Sequence, residues 1–147
     1  MTGDKDFAKA VGEGMYALDK AAQGWGVRIE EMRSHYAVAR MAVRDDMLNS
    51  HGVCHGGMIF ALADTAFAYA SNSDNRATLA ISCNISFATA VQAGAELTAV
   101  AEKATRGGRT GIYDVTVTDG DGNVVALFRG NSYQVRGESV PGLGDGS

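Results

Sequence analysis

The sequence predicts an α+β domain in which an antiparallel sheet wraps one apolar helix. Three observations predict it. The run from Met58 to Ala70 has no Pro or Gly and holds two polar residues, Asp64 and Thr65, and its length and Ala/Leu/Met content favour helix over strand. Its apolar residues lie all round the helical wheel, so protein encloses it on most sides. Alternating, strand-like segments flank it, two before and four after, without the strand–helix repetition of a doubly wound nucleotide fold.

Taken in order, residues 4–22 place Phe7, Val11, Met15, Leu18 and Ala22 three and four apart, the spacing of an amphipathic helix. Gly12 and Gly14 weaken that helix, and Gly24 and Gly26 end it around Trp25. VRIEEM (27–32) and YAVARMAV (36–43) alternate as two strands joined at 33–35. Residues 44–47 lead into the central helix, and 74–76 make a polar break after it. Strands are predicted at 78–87, 95–105, 111–119 and 123–135, with hairpin chemistry in GGRT (107–110) and GDG (120–122). The expected order is therefore helix, short hairpin, buried helix, then an antiparallel meander. Residues 1–24 read as an N-terminal helical segment, 25–136 as the folded domain, and 137–147, Gly-rich with the one proline, as a flexible tail.

Bulk properties set limits on function. A chain of 147 residues that is 46% hydrophobic buries a real core as one domain. A net charge of −4, without a Lys/Arg block, argues against nucleic acid as partner. The N-terminus lacks the basic start and apolar stretch of a signal peptide, and the Met58–Ala70 run is too short to span a membrane. Two cysteines, Cys54 and Cys83, make no disulfide framework. The expected location is the reducing cytoplasm.

Asp64 stands out chemically. A carboxylate in an apolar helix is costly to bury, and burial raises its pKa. Such an Asp either works or pairs with a buried Arg. Gly56 and Gly57 stand at the expected helix start, where unbonded N–H groups favour negative charge and form the donors of an oxyanion hole. Gly57 and Asp64 are seven residues apart, nearly on one face but about 10 Å apart along the axis. One carbonyl carbon cannot touch both. Two antiparallel copies of the helix would bring Gly57 of one chain opposite Asp64 of the other, which predicts a dimer with shared sites.

HGGMIFALADTAFAYASN (55–72), preceded by Asn49 and followed by ISCNISF (81–87), resembles the hotdog-fold acyl-CoA thioesterases. Within these it is most similar to the phenylacetic acid degradation thioesterase (PaaI) group, from residue 15 to residue 135. The resemblance implies a hotdog fold, a curved antiparallel sheet around a long helix, assembled as homodimers with shared active sites and commonly as homotetramers. It implies hydrolysis of (hydroxy)phenylacetyl-CoA-type thioesters, with Asp64 as nucleophile or as base for water. The Gly57 N–H would polarise the carbonyl, with His55 beside it, Asn49 orienting water or thioester, and Ser82 assisting the nucleophile. Arg109 and Gly108, in the basic turn 106–109, would contact the CoA moiety, which belongs to the substrate; no metal or redox cofactor is implied.

Plainer readings stand beside these roles. His55 and Asn49 suit a cap and a loop, and Ser82 suits a satisfied strand hydroxyl. Cys54–His55 lacks a third orienting group for a thiol nucleophile, and with His51 it lacks a fourth zinc ligand. The stretch 119–130 opens like a calcium loop but has Val124 and Gly130 where Gly and Glu are needed. Two other activities remain open: a non-hydrolytic acyl-CoA binder or sensor, which would release no thiol, and a hotdog 3-hydroxyacyl thioester dehydratase, which would change enoyl absorbance without releasing CoA.

Overall fold

The computed structural model describes residues 2–146. Met1 and Ser147, the outermost residues of the expected N-terminal segment and tail, lie outside the described residues. The central helix is α3 (Gly56–Ser71). It follows α1 (Thr2–Leu18), α2 (Lys20–Trp25), β1 (Arg28–Arg33) and β2 (Tyr36–Ala42), and precedes β3 (Arg76–Phe87), β4 (Glu96–Gly107), β5 (Thr110–Thr118) and β6 (Val124–Glu138). All six strands form one antiparallel sheet in the order β1-β2-β4-β5-β6-β3.

The predicted meander holds for β4, β5 and β6 but not for β3. That strand pairs with β6 at the far edge, while β4 lies beside β2. The chain leaves β2, runs along the sheet as α3 and returns up the opposite edge. Residues 88–95 then carry it back across. Strand propensity is local, whereas the choice of neighbour depends on where α3 delivers the chain.

Aromatic contacts and one glycine seat α3 on the sheet. Phe67 packs against Tyr113 and Phe128 with ring centroids 5.6 and 5.7 Å apart. It lies over Gly130 of β6, where an added Cβ would stand 2.7 Å from its ring. Leu62, Met41, Leu97, Val115 and Val117 complete this buried layer. The helix end is tied down by Asn72, whose Nδ2 donates to Ala68 O and Thr78 O and whose Oδ1 accepts from Thr78 N and Ser139 Oγ. Every polar atom of that buried side chain is satisfied.

The helix predicted over 4–22 is broken at Asp19. There the carboxylate caps α2 by accepting from Ala22 N, and its other oxygen accepts from Tyr69 Oη of α3. Gly12 and Gly14, weak helix formers, are contact points: a Cβ would stand 2.9 Å from Met32 of β1 and 2.8 Å from Val140. The expected boundary at 136 falls inside β6. The expected flexible tail is instead fastened, since Asn75 Nδ2 donates to Val140 O and Gly144 O, and Asn75 Oδ1 accepts from Val140 N. No described helix is long and apolar enough to cross a membrane. The turn at 119–123 is a hairpin, with Asp119 Oδ1 accepting from Asp121 N and Asn123 N.

Candidate active site

Beyond its first turn, where Gly56, Met58 and Phe60 are half-buried, α3 leaves uncovered a stripe at the four–three–four spacing of a helix face. Gly57 is exposed, and Ala61, Asp64 and Ala68 are half-buried. Enclosure on most sides is therefore right, and the uncovered stripe is lined by small residues with Asp64 at its middle. Asp64 has no hydrogen-bond or ion-pair partner among the described residues. The buried Arg that would have given it a structural role is absent from its surroundings there. Burial pushes its carboxyl above the usual carboxylate range. Cys83 of β3 is its neighbour: burial raises that thiol, and the Asp64 charge raises it further.

His55 caps α3 in extended backbone, and its Nδ1 accepts from Gly57 N–H at 2.8 Å. A ring that accepts at Nδ1 carries its proton on Nε2. The amide expected to polarise a carbonyl is thus already bonded within its own chain. Its neighbour is not: Gly56 N–H has no acceptor among the described residues. Being the first residue of the helix, Gly56 also sits at the positive end of the macrodipole. The free donor at the helix entrance is Gly56. A sequence signal existed, because once His55 is taken as the cap the first helical N–H is the orphan. The exposed Phe87 ring lies against this spot, 3.1 Å from where a Gly56 Cβ would stand.

Asn49 is half-buried in the loop before α3. Its Oδ1 accepts from His51 N at 2.9 Å and Val53 N at 3.3 Å, and its Nδ2 has no acceptor among the described residues. Its oxygen folds the loop, and its amide N–H groups are what it offers outward. Cys54 is buried beneath the same loop with its thiol pushed up by burial, the reverse of what a nucleophile needs.

Ser82 is not brought to Asp64 within one chain. Cys83 pairs with Gly130, over which Phe67 sits, so Cys83 faces α3. Ser82 pairs with Asn131 on the opposite face, is exposed, and accepts from Asn131 Nδ2 at 2.8 Å. The β3 register shifts between Ala80 and Ser82, and such a slip turns side chains to the other face. Sequence alternation alone could not reveal it. Arg109 and Gly108 form the β4–β5 turn, with Gly108 in the left-handed region (φ 59°) and Arg109 exposed.

The fold is shared with known proteins. Residues 51–126 match the model of the thioesterase superfamily. The chain is 45% identical over 123 residues to the acyl-coenzyme A thioesterase PaaI of Escherichia coli K12, covering 84% of this chain and 88% of that one. The solved E. coli PaaI structure, from the phenylacetic acid degradation operon, superposes with a TM-score of 0.90 at 41% identity. The match covers 92% of this chain and 98% of that one. A hypothetical thioesterase protein of Streptococcus pneumoniae TIGR4, solved with coenzyme A, matches at TM-score 0.72 and 26% identity over 76% of this chain and 90% of that one.

Proposed function

From the premise that this chain belongs to the thioesterase superfamily, carries its hotdog fold and is a thioester hydrolase, we propose that it cleaves (hydroxy)phenylacetyl-CoA-type thioesters to the free acid and CoA. The carrying observation is Asp64: a carboxylate without a partner among the described residues, at the middle of the uncovered stripe of a largely buried helix. The thioester carbonyl takes a hydrogen bond from the Gly56 N–H, where the helix dipole favours the charge that develops on oxygen. Asp64 attacks the carbonyl carbon, or draws a proton from the water that does. The thiolate then leaves with the C–S electron pair, so no strong general acid is needed; on the nucleophilic route water next hydrolyses the acyl–Asp64 anhydride, releasing the acid and restoring the carboxylate.

Gly56 and Asp64 of one α3 are eight residues apart, about 12 Å along the axis, so one chain cannot offer both to one carbon. We therefore assign the working unit as a homodimer in which Asp64 of one protomer meets the Gly56 amide of its partner. Its support is β3: a long edge strand whose Leu79 and Ile81 are 59% and 62% exposed is a template for a second copy. The aryl preference is supported by the E. coli relative and by the Phe87 ring beside Gly56, a surface on which an aryl acyl group stacks. A panel of CoA thioesters followed by thiol release tests the reading. Fast turnover of arylacetyl-CoAs is expected; efficient cleavage of medium-chain aliphatic CoAs with poor arylacetyl turnover would overturn it.

A further inference from the structure

Half-buried His35 closes the β1–β2 turn with a backbone that a Cβ disfavours. Its φ of 56° lies in the left-handed region, where a non-glycine residue stays only if its surroundings hold it. Contacts from three other parts of the chain do so. Its N–H donates to Ser73 Oγ at 2.7 Å, and its carbonyl accepts from Lys103 N at 3.1 Å. Its Nδ1 meets Tyr113 Oη of β5 at 2.7 Å, and its Nε2 meets Arg106 Nη1 of β4 at 3.4 Å. Ser73 stands two residues past the end of α3. One residue thus ties the turn both to that end and to the sheet.

The charges around the ring favour its neutral form. A guanidinium has no acceptor, so the Arg106 contact makes Nε2 the accepting nitrogen and puts the ring proton on Nδ1, which donates to Tyr113 Oη. A second proton would go to Nε2, directly against Arg106, and would remove that acceptor. Asp74, the carboxylate of this cluster, favours the charged ring, but it lies 3.4 Å from Arg106 Nη1 and is engaged there. Arg106 is held from its other side, since its Nη2 donates to Gln134 Oε1 at 2.9 Å. Burial acts most strongly on the ring, followed by Arg106. With Lys103 they outweigh Asp74 and hold the imidazole below its ordinary 6.5. The native state therefore binds this proton less tightly than the unfolded chain does. The stability that the neutral ring contributes is complete above pH 6.5 and is lost as pH falls below it.

We propose that His35 is an acid-sensitive latch. Neutral, it fastens the β1–β2 turn to the segment that ends α3; the proton it takes up at Nε2 in acid breaks the Arg106 contact and loosens the turn. The place suits local opening, because β1 is the edge strand of the sheet and the rest of the sheet stays paired without it. The left-handed backbone of His35 works in the same direction, since it relaxes once the holding contacts go. None of these groups belongs to the site around Asp64, so the latch works whatever the substrate.

The test is amide hydrogen exchange at residues 33–36, corrected for the intrinsic rate and normalised to β5, on full-length wild type, His35→Asn and Arg106→Gln. Asn tolerates the left-handed backbone but does not titrate. Gln keeps a donor toward Gln134 without the cation. Lowering the pH from about 7.5 to about 5, across the histidine range, should reduce wild-type protection about tenfold or more, the scale of a lost hydrogen bond to a charged group. His35→Asn should show no such fall, and Arg106→Gln a smaller one. NMR titration of the His35 ring should give a midpoint below 6.5 in wild type and a higher one in Arg106→Gln. Equal wild-type protection at both pH values, the same fall in His35→Asn, or a wild-type midpoint at or above 6.5 would overturn the latch. Should His35→Asn fail to fold, Arg106→Gln decides: a raised midpoint supports the latch, and an unchanged one refutes it.

Discussion

Replacing Asp64 by Asn is expected to abolish activity and slightly stabilise the fold. Asn keeps the shape of the side chain but removes the charge. As nucleophile or base the carboxylate cannot be replaced by an amide, so turnover should fall by at least ~10²–10⁴, the range for a positioned acid–base group. Stability moves the other way. Burial holds the carboxyl above its ordinary value of 3.8, so the native state binds the proton more tightly than the unfolded chain does. For such a group stability declines as pH rises from the unfolded pKa through the raised folded one, and the penalty is complete above it. Asn never carries that penalty. Because Asp64 keeps a water-facing side that screens it, the gain is held to about 1 kcal/mol or less, equivalent to roughly 2–4 °C in Tm for a domain of this size. The assay is DTNB-monitored thiol release beside thermal unfolding at several pH values. The Tm difference should be present at neutral pH and vanish below 3.8. A variant that stays active, or whose Tm drops at neutral pH, would refute the assignment of Asp64 as a working, unpaired carboxylate.

The acidic limb of the kcat/KM profile should lie above 3.8, because Asp64 must be ionised to act and burial has raised its pKa; an apparent pKa at or below that value would contradict this. Ile81→Glu places a charge on the exposed β3 edge and should yield monomers with little activity by light scattering and thiol release; an active monomer would remove the shared site. Gly130→Ala pushes a Cβ to 2.7 Å from the Phe67 ring and should destabilise by about 1–3 kcal/mol, read by chemical denaturation.

Sequence alone determined what short-range pattern can encode. The apolar run from Met58 to Ala70 specified a buried helix by composition, and the turns at 107–110 and 120–122 followed from glycine chemistry. Asp64 was conspicuous because a charge interrupts that run, and His55 and Asn49 were readable as cap and loop residues. Tertiary structure decided the rest, since each remaining point depends on residues far apart in the chain. The place of β3 beside β6 follows from where α3 delivers it, and the face of Ser82 from a one-residue register shift that alternation cannot encode. Whether Gly56 or Gly57 keeps a free amide was decided by the rotamer of the His55 cap. The cleft wall that brings Arg76, Arg109 and Arg136 together draws on three parts of the chain, and no local pattern joins them. Periodicity records which side of an element is apolar, whereas long-range pairing selects what that side meets.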